Sequence, residues 1–281
     1  MDARGRGKVM GGRSGTHRRS ASGPRSADLG LDGPFLDRYW RESRRPLTIL
    51  VFLLPLVALY EVGLFVLLPE HRGILTNLAH ETLLRFFAVF GVTAGLAVPA
   101  AALLVVLLVW HLLLRERWRV DPRVLGGMIV ESAVLVVPLL VLGQVIARSL
   151  PALADGGALD RRIGELDLLG KLTVSLGAGI FEELVFRMLL VAVLHALLVD
   201  VGRLSSSVGS IVAVTVAAAV FTWYHPLRDD AGVLSAQRIA FFFLAGLYFG
   251  GIFVLRGFGI VVAVHALYDL AVSVFLLPQS G

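Results

Sequence analysis

Residues 47–68 read LTILVFLLPLVALYEVGLFVLL, an apolar run whose one ionisable group is Glu61 and which is bounded by Pro46 and Pro69. A helix rises about 1.5 Å per residue and a bilayer's hydrocarbon core is about 30 Å thick, so about 20 apolar residues suffice to cross it. In lipid every backbone polar group must be satisfied internally, which leaves helices and closed barrels as the only spanning structures. An unbroken apolar run of this length, with no alternation of period two, reads as a helix.

The same reading applied outward finds six more such stretches, at 91–114, 124–147, 169–199, 206–224, 239–255 and 258–277. A mixed stretch at 74–90 carries Asn77, His80, Glu81 and Arg85, and is expected to lie in the membrane interface or to extend the next span. If it crosses, the count is eight instead of seven. Of the 281 residues 57% are hydrophobic and 17% charged, with a mean hydropathy of +0.80. Soluble domains hold about 45–50% apolar and about 25% charged residues, so a water-soluble enzyme, a disordered chain and a nucleic-acid-binding domain are all excluded. The expected fold is an all-α, polytopic transmembrane helical bundle of about seven spans (possibly eight by the alternative count), occupying 46–281 without internal repeats.

The net charge of +5 is unevenly placed. Eleven of the 26 Lys and Arg residues fall in residues 1–45 against five acids, leaving 15 basic and 16 acidic residues for the rest of the chain. Segment 1–45 therefore reads as a basic tail. It is rich in Gly, Ser and Arg and expected to be disordered to about Asp32, because it cannot bury enough apolar surface to offset the entropy of ordering. It lacks the short apolar core and cleavage site of a secretory signal. Arg38, Arg41, Arg44 and Arg45 directly precede the first span, and Arg115, Arg117, Arg119 and Arg123 separate two others. Basic flanks mark the cytoplasmic side, so these arginines read as topology determinants of a cell (inner) membrane protein with a cytoplasmic N-terminus and, after seven crossings, a C-terminus on the other side.

Cysteine is absent, which removes disulfides, thiolate ligands and a Cys nucleophile. Chemistry falls to Ser, His, Asp and Glu, and ionisable groups at membrane depth are costly enough to be functional candidates. The fourth span holds Phe181-Glu182-Glu183-Leu184-Val185-Phe186-Arg187. At about 100° per residue, Glu183 and Arg187 lie about 40° apart and Glu182 about 140° from Arg187. Glu183 can thus pair with Arg187 while Glu182 faces another helix. The fifth span ends Phe221-Thr222-Trp223-Tyr224-His225-Pro226. The last carries His265-Ala266-Leu267-Tyr268-Asp269, with His265 and Asp269 one turn apart.

A single intramembrane His or Asp is often a satisfied packing hydrogen bond. A carboxylate pair, two imidazoles and a further carboxylate on three helices are harder to explain that way. Such a set supports hydrolysis: a carboxylate in a low-dielectric site can act as general base toward water, and neutral imidazoles with carboxylates can hold a divalent metal. Without Cys a zinc site would use N and O ligands, from His225, His265 and a carboxylate.

At these residues the sequence resembles the CPBP family of intramembrane proteases, also called the Abi or CAAX-processing family. Its motifs EExxxR, FxxxH and Hxxx(N/D) occur in order as Glu182-Glu183-xxx-Arg187, Phe221-xxx-His225 and His265-xxx-Asp269, within 169–277. The resemblance implies an endopeptidase acting on a membrane-associated peptide or protein, with Glu182 as the base, Glu183 and Arg187 as its supporting pair, and His225 and His265 binding metal or stabilising the oxyanion. Glu182, His225, His265 and Asp269 are the implied metal ligands, and zinc the implied metal. Prenyl proteases of the family usually carry Asn where Asp269 stands. An ionised Asp cannot donate to an oxyanion, so Asp269 reads as a ligand or as an orienter of His265. The bilayer is the other implied partner, and nucleic acid is not.

Other matches are decoys. Gly12-Arg13-Ser14-Gly15 fits a GxSG nucleophile pattern but lies in the tail, and His80-Glu81-Thr82-Leu83-Leu84 lacks the second His of HExxH. Tyr268-Asp269 would need a second intramembrane Asp to act as an aspartyl pair. Glu61 and Glu131 read as interhelical hydrogen-bonding groups, His111 and His195 as interfacial, and Gly246, Gly250 and Gly251 as helix-packing positions. Competing functional readings are a catalytically inactive scaffold or immunity protein on the same bundle, and, less favoured, a proton-coupled transporter. Against transport, the catalytic-type groups are confined to three helices and no pair of interrupted helices suggests inverted repeats.

Overall fold

In the computed structural model, residues 34–71, 77–92, 95–149, 162–228 and 232–276 are described. The tail expected to be disordered to about Asp32, its GxSG match and most of the 148–167 loop lie outside them. Residues 38–281 make one compact unit. Within segment 1–45, assigned whole to the tail by the sequence, Pro34–Glu42 forms a helix, α1.

Among the described residues eight further helices of 12 residues or more follow: α2 Pro46–His71, α3 Leu78–Val89, α4 Val98–Leu114, α5 Pro122–Ser149, α6 Leu168–Val201, α7 Ser206–Tyr224, α8 Ala236–Arg256 and α9 Phe258–Phe275. Among the described residues the only β pairing is a single bridge, Arg228 with Leu234. Among the described residues six helices (α2 and α5 to α9) are long and apolar enough to cross a membrane. The seventh expected span shortens to α4, whose 17 residues reach about 26 Å at about 1.5 Å per residue. The 74–90 stretch yields only α3, 12 residues long and about 18 Å by the same rise, which does not supply an eighth crossing. The chain is an all-α, multi-pass membrane protein.

Local chemistry sets the boundaries. Asp167 caps α6 by accepting from the Gly170 N–H at 2.7 Å, and Asn77 caps α3 by accepting from His80 N–H at 2.8 Å, each satisfying one of the first-turn amides that lack an intrahelical partner. Pro226 ends α7, because the residue before a proline is pushed out of the helical region, and His225 accordingly takes an extended backbone (φ −84°, ψ 159°). Gly257 is both the last cap of α8 and the first of α9, with φ at +87°. That left-handed value favours glycine, and one residue therefore joins two helices.

α9 is the centre of the bundle. Every residue from Phe258 to Ala266 is buried, and the helix packs on α6, α5, α8 and α2; a helix apolar all round belongs inside. α7 packs on α8 and on α6. Outward faces stay apolar, with Phe65, Ile211 and Val130 more than half exposed, as lipid contact requires. Gly246 allows the α7–α8 approach, since a Cβ there would lie 3.0 Å from the Ala218 backbone. Gly251 meets nothing within 4 Å, so of the three glycines it is not a packing position.

His111, expected at the interface, is buried within the bundle, its ring edge-on to Trp118 at 4.5 Å. One other expectation is corrected. The Oε1 of Glu61 is buried without a hydrogen-bond partner among the described residues, so it does not make the expected interhelical bond. Glu131 does: it binds Arg256 of α8 through Nε and, at 2.6 Å, through Nη2, and it also accepts from the Tyr39 hydroxyl.

Candidate active site

The three motif segments converge in the half of the bundle away from the arginine-rich loop. α6 changes character at the motif: regular helix ends at Glu183 and residues Leu184–Val191 wind as a π-helix. Such widened turns are rare and concentrate at functional sites. Here the wide turn carries Arg187, whose Nη1 lies 3.0 Å from Glu183 Oε1 with both side chains at most 2% exposed. The guanidinium also sits 4.2 Å from the Phe221 ring and 5.3 Å from Phe249, and donates to the Gly246 carbonyl at 3.4 Å.

Beside this ion pair, Glu183 Oε1 accepts a hydrogen bond from His265 Nδ1 at 2.6 Å. The imidazole of His265 is stacked on Phe249 with ring centroids 4.6 Å apart, and its Nε2 lies 3.4 Å from Asp269 Oδ2. One nitrogen thus binds a carboxylate of α6 and the other faces a carboxylate one turn further along α9. His225 is held by a different device. Its Nδ1 donates to the Phe221 carbonyl at 2.7 Å, satisfying one of the orphan carbonyls at the end of α7, and the ring stacks on Phe242 at 4.1 Å. With the Nδ1 proton used there, the neutral ring presents Nε2 as a lone pair.

Glu182 stands between the two imidazoles. Its Oε2 is 3.6 Å from His225 Nε2 and 3.9 Å from His265 Nε2, and although buried has no hydrogen-bond partner among the described residues. Its Oε1 accepts from Asn77 Nδ2 at 3.4 Å, and Tyr224 lines the same cavity. These groups face a cavity of about 490 Å³, lined by Glu182, His225, His265 and Asp269 and walled by Phe241 and Phe242. Glu183 and Arg187 lie behind this wall. Among the described residues no three His, Asp or Glu side chains are already gathered as a metal-holding group.

All six motif residues therefore meet in one place. The sequence missed Asn77 and Tyr224. Asn77 had been noted only as a polar residue in a mixed stretch, yet it caps α3 and donates to the Gly177 carbonyl at 3.2 Å, tying α3 to α6 beside Glu182. The Tyr224 hydroxyl accepts from the Ala79 N–H at 2.9 Å; its place directly before His225 was the available signal. His80, from the incomplete zincin pattern, is structural: it is buried, pairs with Tyr60 at 2.7 Å and Leu96 O at 2.8 Å, and stacks on Phe181. Burial lowers its pKa below the ordinary imidazole value, which keeps it neutral.

Residues 165–271 match the family model described as Rce1-like, type II CAAX prenyl endopeptidase. The segment runs from just before α6 into α9 and holds all three motifs. Neither a curated protein nor a solved structure matches the chain.

Proposed function

We propose that the protein is an intramembrane endopeptidase that hydrolyses a peptide bond of a membrane-anchored substrate inside the cavity, with Glu182 as general base. The observation that carries this reading is the unpartnered Glu182 Oε2, buried at the cavity wall between two imidazole Nε2 atoms. A water bound to Oε2 gives its proton to Glu182, and its oxygen attacks the scissile carbonyl carbon. Collapse of the tetrahedral intermediate breaks the C–N bond, and Glu182 returns the proton to the departing amine. His225, with its Nδ1 proton held by Phe221 O, aligns the water through the Nε2 lone pair. His265, fixed by Glu183 and facing Asp269, is the ring oriented toward the developing oxyanion. Glu183, Arg187 and Asp269 act through it as positioning residues.

The donor set suits zinc or another divalent metal in kind: the orphaned Glu182 oxygen, two imidazole Nε2 atoms and Asp269 are N and O ligands. His225, His265, Glu182 and Asp269 would hold the ion, which supplies polarisation of the carbonyl and activation of water when bound.

The test is cleavage of a fluorogenic, lipid-anchored peptide by the purified protein in proteoliposomes, before and after exhaustive chelation. Glu182→Gln should lower the rate by at least about 10²-fold, the lower end of what a positioned general base contributes. Activity within a few-fold of wild type in that variant overturns the base assignment. An inactive wild type, with cellular function unchanged by Glu182→Gln, is the result expected of an inert scaffold on the same bundle.

A further inference from the structure

We infer that the arginine-bearing end of the bundle holds a binding site for the phosphate of an anionic lipid headgroup. This inference is independent of the peptidase reading. The sequence reads its arginines as topology markers in two separate segments, but the structure brings both segments around one open pocket of about 990 Å³. From the α1–α2 side come Arg38 and Arg45. From the α4–α5 connection come Arg115, Arg117 and Arg119.

The pairing of these charges is uneven. Arg38 Nη2 binds Asp121 at 3.0 Å and Arg45 Nε faces Glu116 at 3.7 Å, pairs that fasten the two segments together. Arg115, Arg117 and Arg119 are exposed and make no side-chain ion pair or hydrogen bond among the described residues. With Glu42 counted, five guanidinium groups face three carboxylates, which leaves a local excess of two positive charges. Guanidinium is the side chain best shaped for phosphate, because its fork donates two parallel bonds.

The surroundings select a lipid over a soluble anion. Trp118 lines the pocket, is 62% exposed, and is braced edge-on against the buried His111 ring; an exposed indole at a span end is the usual mark of the headgroup layer. Directly below it on α4, Leu113 and Leu114 are exposed, offering acyl chains a surface continuous with the charged pocket. Basic pockets between helices at this level suit anionic headgroups.

The experiment is native mass spectrometry of the full-length protein in detergent, titrated separately with phosphatidylglycerol, phosphatidylcholine and inorganic phosphate. The protein should bind phosphatidylglycerol at least tenfold tighter than phosphatidylcholine. Replacing Arg115, Arg117 and Arg119 together by Gln should remove that preference and leave the phosphatidylcholine affinity unchanged. Because lost positive charge can disturb insertion, the same three positions are also replaced by Lys; this variant keeps the charge, loses the fork, and should bind phosphatidylglycerol several-fold more weakly. On the unaltered protein, phosphatidylglycerol should slow amide hydrogen exchange across 115–121. Equal affinity for the two lipids, an undiminished preference in the Gln variant, or no protection of 115–121 overturns the proposal. Inorganic phosphate that binds alone and displaces the lipid overturns the lipid assignment in favour of a soluble anion.

Discussion

Replacing Arg187 by Met tests what holds the motif-bearing helices in register. The guanidinium is 1% exposed, its Nη1 is 3.0 Å from Glu183 Oε1, and two aromatic rings lie within 5.3 Å of its centre. Removing one partner of a buried ion pair costs about 3–5 kcal/mol, because the charge left behind is uncompensated. The lost contacts with Phe221 and Phe249 add up to about 2 kcal/mol. His265 still donates to Glu183 at 2.6 Å, which softens the loss, so about 4 kcal/mol is the expected cost of Arg187→Met. Glu183→Gln alone strands the arginine instead and should cost about 3 kcal/mol by the same reasoning. Together the two substitutions leave neither charge in the core. The double variant should therefore lose about 4 kcal/mol instead of the sum, a coupling of about 3 kcal/mol at the upper end for directly contacting residues. Equilibrium unfolding in mixed micelles titrated with SDS, followed by circular dichroism, measures all four corners. Additivity of the two single costs within about 0.5 kcal/mol would falsify the claim that this pair fastens α6 at the site.

Asp269→Asn keeps an acceptor facing His265 Nε2, so cleavage should fall about 10-fold, at the mild end for a group that orients a catalytic residue; a loss as deep as that of Glu182→Gln refutes the positioning role. Tyr224→Phe removes the hydroxyl that accepts from Ala79 N–H at the wall of the cavity. It should cost about 1–3 kcal/mol for the amide left unpaired and lower kcat more than it raises KM, and unchanged kinetics would remove Tyr224 from the site. Gly179→Ala places a Cβ 2.8 Å from Ala266 N and Val262 O, backbone atoms that cannot move aside, so about 1–3 kcal/mol of overpacking should come with near-complete loss of cleavage. Gly251→Ala meets open space and should be neutral or stabilising by up to about 1 kcal/mol; equal behaviour of the two alanines contradicts the packing account. Single cysteines at Arg117 and Leu227, introduced into a chain without any, should label from opposite sides of the membrane, with Arg117 on the cytoplasmic side.

The helices and the identity of the site residues were legible because lipid simplifies the problem. Where almost every position is Leu, Val, Ala or Phe, the few ionisable groups stand out, and the angular argument for Glu183 and Arg187 needs only the helix period. Other features had no such signal. The shortening of 91–114 to Val98–Leu114 is invisible to hydropathy, because Val92, Ala94 and Leu96 are apolar whether or not they are helical. The burial of His111 depends on Trp118 folding back onto it. Asn77 reaches Glu182, and Tyr224 the Ala79 N–H, only through the position of α3, which composition alone does not fix.

The motif residues do not position themselves. Glu183 meets His265 because α6 and α9 come close enough that any Cβ at Gly179 would strike Ala266 and the Val262 carbonyl. Gly179 lies one helical turn before Glu183, and Ala266 directly follows His265. Gly177 admits Tyr60 of α2 in the same way, with Cε2 2.6 Å from where a Cβ would stand, and lends its carbonyl to Asn77. The run Gly177-Ala178-Gly179 is therefore the surface on which α2, α3 and α9 are brought to α6. Small residues at this depth allow dispersion contacts between backbones where lipid supplies no hydrophobic drive. The motif fixes which groups are available for chemistry, while their separation by hydrogen-bond distances is set by side chains too small to carry chemistry of their own. A chain that kept EExxxR, FxxxH and Hxxx(N/D) but enlarged Gly179 would retain the signature and lose the site.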